Sequence, residues 1–156
     1  MPQKILVAVD DSENAQRAVA FVAKRFATSN PVTLFCVVID TASLCKMDSP
    51  ELSPIFKSEQ ASFCALENKK RELVNAAMKK AKDKLLEAGF PADQVTIKVE
   101  DRKHGVARDI LAESAQGYDL VVIGRRGISA VKDFFMGSTA QKVFNGAKDI
   151  SVLIVN

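Results

Sequence analysis

The chain has 156 residues, 47% of them hydrophobic and 26% charged, with a formal net charge of +3. That is the composition of an ordinary soluble globular protein, long enough for one domain (residues 1–156) with a sizeable core. The charge is too small and too dispersed to imply nucleic acid, and no apolar stretch approaches the roughly 18–20 residues that span a bilayer.

The start, Met1-Pro2-Gln3-Lys4-Ile5, runs straight into an apolar segment without a signal-peptide pattern, so a cytoplasmic protein is expected. The three cysteines, Cys36, Cys45 and Cys64, are odd in number and include no C-x-x-C pair. They suggest neither a disulfide framework nor a zinc site. Cys36 sits in an apolar run and reads as a small buried hydrophobe, while nothing near Cys45 or Cys64 argues for reactivity. The single histidine, His104, excludes schemes that need two.

Along the chain, strand and helix alternate. Ile5-Leu6-Val7-Ala8-Val9 is a continuous apolar run, as expected of a parallel strand covered on both faces. Asp10-Asp11-Ser12 supplies N-cap candidates, and Ala15, Ala18, Val19, Val22 and Phe26 mark the inner face of a helix over about 13–28. Asn30-Pro31 ends it, and a second strand covers Val32 to Ile39. Residues 41–58, punctuated by Ser49-Pro50 and Ser53-Pro54, read as a loop with at most a short helical turn. A long helix follows over about 59–88, with Leu66, Leu73, Ala77, Ala81 and Leu85 as its expected inner side. Its Lys69, Lys70, Arg71, Lys79, Lys80 and Lys84 are interleaved with Glu67, Glu72, Asp83 and Glu87, the pattern of a solvated face. Gly89 and Pro91 stop it.

Val95-Thr96-Ile97-Lys98-Val99 alternates, as a strand exposed on one side does. A third helix is expected over about 106–116 with Ala107, Ile110 and Leu111 inward. A fourth strand covers Leu120–Ile123, a fourth helix runs from Gly137-Ser138 to about Ala147, and Ser151–Val155 forms a fifth strand. Five strands alternating with four helices predict the α/β class: an open, Rossmann-like five-stranded parallel sheet with helices on both faces.

Three of the 7 glycines fall in "GRRGISAVKDFFMGST", residues 124–139, directly after the fourth strand. Ligands of such sheets bind beyond the carboxyl ends of the strands, where strand order reverses. Asp10-Asp11-Ser12 and Gly124-Arg125-Arg126-Gly127 both stand at that end. Gly124 would let the chain turn off the strand, and Gly127 would let an anion approach main-chain N–H groups. Gly137-Ser138-Thr139 opens a helix whose free N–H groups and hydroxyls suit an anion, with Arg125 or Arg126 adding charge. A polyphosphate is the natural guest. The stretch is neither a P-loop nor a G-x-G-x-x-G fingerprint, and plain turn and capping roles stay open for its glycines.

With "ILVAVDDSENAQRAVAFV" at its start and "DLVVIGRRGISAVKDFFMGSTAQKV" near its end, the chain resembles the universal stress protein family. In that family G-x2-G-x9-G-[ST] marks members that bind ATP, and Gly124, Gly127, Gly137 and Ser138 match it. The resemblance implies the strand order 3-2-1-4-5. It also implies Ala8, Val9 and Asp10 beside adenosine, and Val38 bonding adenine through its backbone. Gly124, Arg125, Arg126 and Gly127, with Gly137, Ser138, Thr139 and Ala140, would wrap the phosphates. Asp10 suits a ribose or base contact or a shared Mg2+, with helix capping as the alternative. Ser151 stands where relatives commonly have proline. Similar proteins dimerise through the last strand, and here Ser151–Val155 would be an apolar edge, which argues for a homodimer.

The expected function is an ATP-binding regulatory or stress-response protein with an unidentified protein partner; AMP or another adenylate could replace ATP. A slow ATPase or other adenine-nucleotide hydrolase and a nucleotide-free protein-interaction module are the alternatives. Hydrolysis wants a residue that activates water near a metal; only Asp10 and Asp11 are candidates, with His104 at best adjacent, so no catalytic residue is assigned.

Overall fold

The computed structural model describes residues 1–39, 45, 53–126 and 136–156. Its elements are β1 (Ile5–Ala8), α1 (Glu13–Arg25), β2 (Val32–Val38), α2 (Pro54–Glu87), β3 (Val95–Asp101), α3 (Val106–Ser114), β4 (Leu120–Gly124), α4 (Ser138–Gly146) and β5 (Ser151–Val155), with a short 3-10 turn at Ala92–Gln94. The strands form one parallel sheet, as their apolar runs lead one to expect, in the order β3-β2-β1-β4-β5 that the family resemblance implies.

Alternate residues of each strand serve opposite faces. Ile5 and Val7 of β1 pack in a cluster with Ala18, Val19 and Val22 of α1 and Met78, Ala81 and Leu85 of α2. Leu6 and Ala8 turn the other way, toward Ala107 and Ile110 of α3 and Ala140 and Val143 of α4. Burial on both faces explains why β1 and β4 read as unbroken apolar runs. Order 1-4 places the α1 and α3 crossovers on opposite sides of the sheet, which opens a crevice at the carboxyl ends of β1 and β4.

Several expectations need correction. α2 begins at Pro54, so residues 54–58 are helical rather than loop. Ser53 is its N-cap, accepting from the Phe56 N–H at 3.2 Å, and Pro54 occupies the first turn, where its missing N–H costs nothing. Residues 40–44 and 46–52 of the expected loop lie outside the described residues. The inner side of α2 is also rotated from the expected one. Glu67, Met78, Ala81 and Leu85 are buried, whereas Leu66 and Leu73 are 55% and 50% exposed. The leucines form a second stripe about a quarter-turn away, and Lys70 satisfies the buried Glu67 at 3.0 Å.

Cys45 and Cys64 are joined as a disulfide, which the odd cysteine count hid. The third cysteine, Cys36, is free and buried, as expected. β3 extends two residues further than its alternating pattern, to Asp101, because Val37 and Val38 of β2 continue to pair with it. There Arg71 of α2 donates to Asp101 Oδ1 at 2.7 Å and to the Ile39 carbonyl at 2.9 Å. The helix stop is as expected: Gly89 has φ +97°, a left-handed conformation, and donates to the Leu86 carbonyl. No helix among the described residues is long and apolar enough to cross a membrane.

Candidate functional site

At the end of β1, the Val9 N–H donates to the Phe35 carbonyl of β2 at 2.8 Å. The chain then folds back on itself. Asp10 Oδ1 accepts from the Ser12 N–H at 2.9 Å, and Ser12 Oγ caps α1 by accepting from the Ala15 N–H at 3.2 Å. The Asp10 carboxylate therefore shapes the turn ahead of the cap while also lining the crevice.

At the end of β4, the Arg125 N–H bonds the Val155 carbonyl at 2.7 Å, and the Arg125 carbonyl accepts from the Gly137 N–H at 2.6 Å. That second bond pins the entry to α4 beside the exit of β4. Gly137 is the N-cap of α4 and has no side chain to cap it. Its own N–H is taken by Arg125, so among the described residues Ser138, Thr139 and Ala140 carry the helix's remaining free donors. Helix N-termini of this kind favour anions.

Between these two turns lies a cavity of about 470 Å³. Ala8, Val9, Phe35, Cys36 and Val37 line it from the sheet, and Val106 and Ile110 from α3. Gly124, Arg126 and the stretch Met136–Gln141 complete the opposite end. The site is thus an apolar slot continuous with a polar, donor-rich end. The Arg126 Nε is buried without a hydrogen-bond partner among the described residues, a cost unless an anion or water meets it.

Of the residues marked in the sequence, Ala8, Val9, Asp10, Gly124, Arg126, Gly137, Ser138, Thr139 and Ala140 come together on this cavity. Arg125 contributes backbone bonds that hold the turn but does not line the space. Val38 stands off it: Val37 lines the cavity instead, and the Val38 carbonyl accepts from the Arg102 N–H at 2.6 Å. Gly127 lies outside the described residues. Gly124 has a different reason to be glycine than the expected sharp turn. A Cβ there would meet the Asn14 backbone oxygen at 2.9 Å, so the glycine lets the first turn of α1 pack against β4.

Sequence reasoning missed Phe35, Cys36, Val106, Ile110 and Met136. The register Ala8↔Phe35 is the signal that could have found the β2 residues once the strand order was assumed. Burial, reinforced by the charges of Asp10 and Asp11, pushes the Cys36 thiol up to about 12. It is a protonated lining group at neutral pH and no nucleophile. His104 is exposed and does not line the cavity; its N–H, with that of Lys103, is held by buried Asp109 at 3.1 and 2.8 Å. Burial pushes the Asp109 carboxyl up, but these N–H groups and the His104 charge prevail and hold it below the usual range. Asp109 thereby fixes the turn that delivers Val106 to the slot. No group of three or more His, Cys, Asp or Glu side chains able to hold a metal ion occurs among the described residues.

The model of the universal stress protein family matches residues 1–156. A universal stress protein of Mycolicibacterium smegmatis is 27% identical over 151 residues, which cover 96% of this chain and 47% of that protein. The chain thus spans about half the length of that curated relative. Among solved structures, universal stress protein UspA from Lactobacillus plantarum has a TM-score of 0.71 at 20% identity, covering 100% of this chain and 99% of that one. A universal stress protein solved in complex with cAMP has a TM-score of 0.64 at 18% identity, covering 100% and 98%. At such identities the structures testify to the fold, and the whole-chain family match carries the assignment: the chain belongs to the universal stress protein family.

Proposed function

We propose that the crevice binds an adenine nucleotide, ATP first among them, and that occupancy makes the protein a nucleotide-dependent regulator in a stress response. The carrying observation is the pairing of an apolar slot with donors 138–140 and the Arg126 Nε, all without a partner among the described residues. A base fits the slot by its faces, and phosphates fit the donors. The sequence pattern G-x2-G-x9-G-[ST] supports ATP, and the cAMP complex of a protein of the same fold supports the adenylate class more broadly, AMP included. The side-chain set fits one Mg2+ shared between Asp10 and the phosphates, since Mg2+ commonly uses one or two carboxylates plus phosphate oxygens. Bound there, the ion would offset phosphate charge facing Asp10.

A homodimer through β5 belongs to the same proposal. β5 is an edge strand, and Val152, Leu153 and Ile154 are only partly buried. The proposed compartment is the cytoplasm, where the Cys45–Cys64 pair would persist mainly as thiols.

The test is to strip the purified protein of small molecules, identify what heat releases by mass, and titrate ATP with Mg2+ by calorimetry. Recovered or tightly titrating adenylate supports the reading. A protein that is empty and ignores ATP, AMP and cAMP alike overturns it.

A further inference from the structure

The exposed flank of α2 carries an apolar stripe that the other described residues leave accessible. Phe56, Phe63, Leu66 and Leu73 are 39%, 37%, 55% and 50% exposed, far more than core positions of their size. Their spacings of seven, three and seven residues are those of a heptad seam. Two polar residues complete the repeat: Glu59, at the position between Phe56 and Phe63, and Lys70, at the position between Leu66 and Leu73. The face that packs on the sheet is another one, through Met78, Ala81 and Leu85.

The stripe is self-complementary in reverse. Turned about a two-fold axis between residues 64 and 65, Phe56 meets Leu73 of the other copy, Phe63 meets Leu66, and Glu59 meets Lys70. Each apolar residue then faces an apolar one, and the two polar positions face each other with opposite charge. A parallel alignment would instead set Glu59 against Glu59 and Lys70 against Lys70. Two-fold contacts between identical surfaces require this kind of reciprocity.

We infer that this flank of α2 is a docking face for a second copy of the chain, paired antiparallel over residues 56–73. It is separate from the edge strand β5, which lies at the other side of the sheet from β3. The Glu59–Lys70 contact sets the register, because a one-heptad slip leaves both charges opposite apolar side chains. The seam would extend for about 26 Å along each helix.

Carbodiimide cross-linking and charge exchange test this together. Glu59 and Lys70 of one helix are about 16 Å apart along its axis, too far for a zero-length link, so a Glu59–Lys70 amide between peptides reports two copies. The parent protein should yield that link. E59K and K70E should each weaken self-association by about tenfold in sedimentation, because every pair becomes like-charged. Lys70 also partners buried Glu67 at 3.0 Å, so urea unfolding of K70E checks that the fold survives, and the parent's link and E59K decide the matter if it does not. An equimolar mixture of the two variants should associate again, since each pair across the seam regains opposite charges. It should also give a second link between positions 59 and 70, with acid and amine exchanged. The inference is overturned if the parent yields no Glu59–Lys70 link at high micromolar concentration, if both single variants associate like the parent, or if the mixture stays apart. Pairing through β5 would be indifferent to all three comparisons.

Discussion

Lys98 of edge strand β3 places its ammonium 2.7 Å from Oε2 of Glu113 on α3, while the Tyr118 hydroxyl donates to the other oxygen at 2.8 Å. Burial pushes the Glu113 carboxyl up, yet the Lys98 and Tyr118 bonds prevail and hold it below the ordinary carboxylate range. Glu113 hydrogen bonding raises Lys98 in turn, against desolvation. The pair ties the sheet edge to the helix layer that walls the slot.

The pH dependence follows from those directions. A carboxyl lowered on folding contributes stability that is complete above its unfolded value and lost as pH falls through the folded one. A lysine raised on folding contributes stability that is complete below its unfolded value and lost as pH rises through the folded one. Glu113→Gln should cost about 1 kcal/mol at neutral pH, the lower end for a charged hydrogen bond because Lys98 is 39% exposed. The loss should shrink in acid below the usual carboxylate range. Urea unfolding at neutral and acidic pH measures both; an equal loss at every pH would contradict the assignment.

Gly124→Ala tests the close approach of α1. The new methyl would press on the Asn14 backbone, which no side-chain rotation relieves. A loss of about 1–3 kcal/mol in unfolding free energy is expected, typical of overpacking. An unchanged urea midpoint would show that the contact yields freely. Any accompanying fall in nucleotide affinity is to be read as displacement of the α1 turn and Asp10, since the methyl faces Asn14.

The proposed phosphate end of the site is tested by Ser138→Ala and Arg126→Ala in ATP calorimetry. One hydroxyl bond should be worth about 1 kcal/mol, or about fivefold in affinity. Arg126 supplies charge as well, so its removal should cost about 1.5–3 kcal/mol, or ten- to a hundredfold. Added salt should narrow the Arg126 effect more than the Ser138 effect. Both variants binding ATP as the parent does would remove phosphate from this end of the crevice.

Thiol counting separates the cysteines. The chain has 3, of which Cys45 and Cys64 are joined and Cys36 is buried and free. The folded oxidised protein should show almost no thiol reactive to a disulfide reagent, because the Cys36 thiol is both buried and pushed up to about 12. Denaturation without reductant should expose one thiol, and denaturation after reduction three. Three thiols without reductant would mean that the pair is not joined.

The sheet was legible because its strands are buried on both faces and so carry uninterrupted apolar runs, and the helix ends because Ser12, Gly89 and Gly137 mark them. α2 was harder. Ser53-Pro54 has the same residues whether it breaks a chain or opens a helix, and two apolar stripes share one helix, of which only the one containing charged Glu67 faces inward. Cavity-lining residues near glycines and caps, such as Asp10, Gly124 and Gly137, were legible, since those residues are unusual for their backbone role. Phe35, Val106 and Ile110 were not, because a residue that lines an apolar slot looks like any other core residue until strand register places it. The Cys45–Cys64 pairing depends on a contact across 19 positions that no local pattern records.

The guanidinium of Arg71, shared between the Ile39 carbonyl and Asp101, gives α2 a mechanical asymmetry. Downstream of it the helix is seated on the sheet through Met78, Ala81 and Leu85. Upstream, residues 54–70 run on for about 26 Å, held by buried Glu67 and by the Cys45–Cys64 disulfide. Because Ile39 follows directly on β2, whose Val37 borders the crevice, that one side chain joins α2 near its midpoint to the strand that forms the rim of the site.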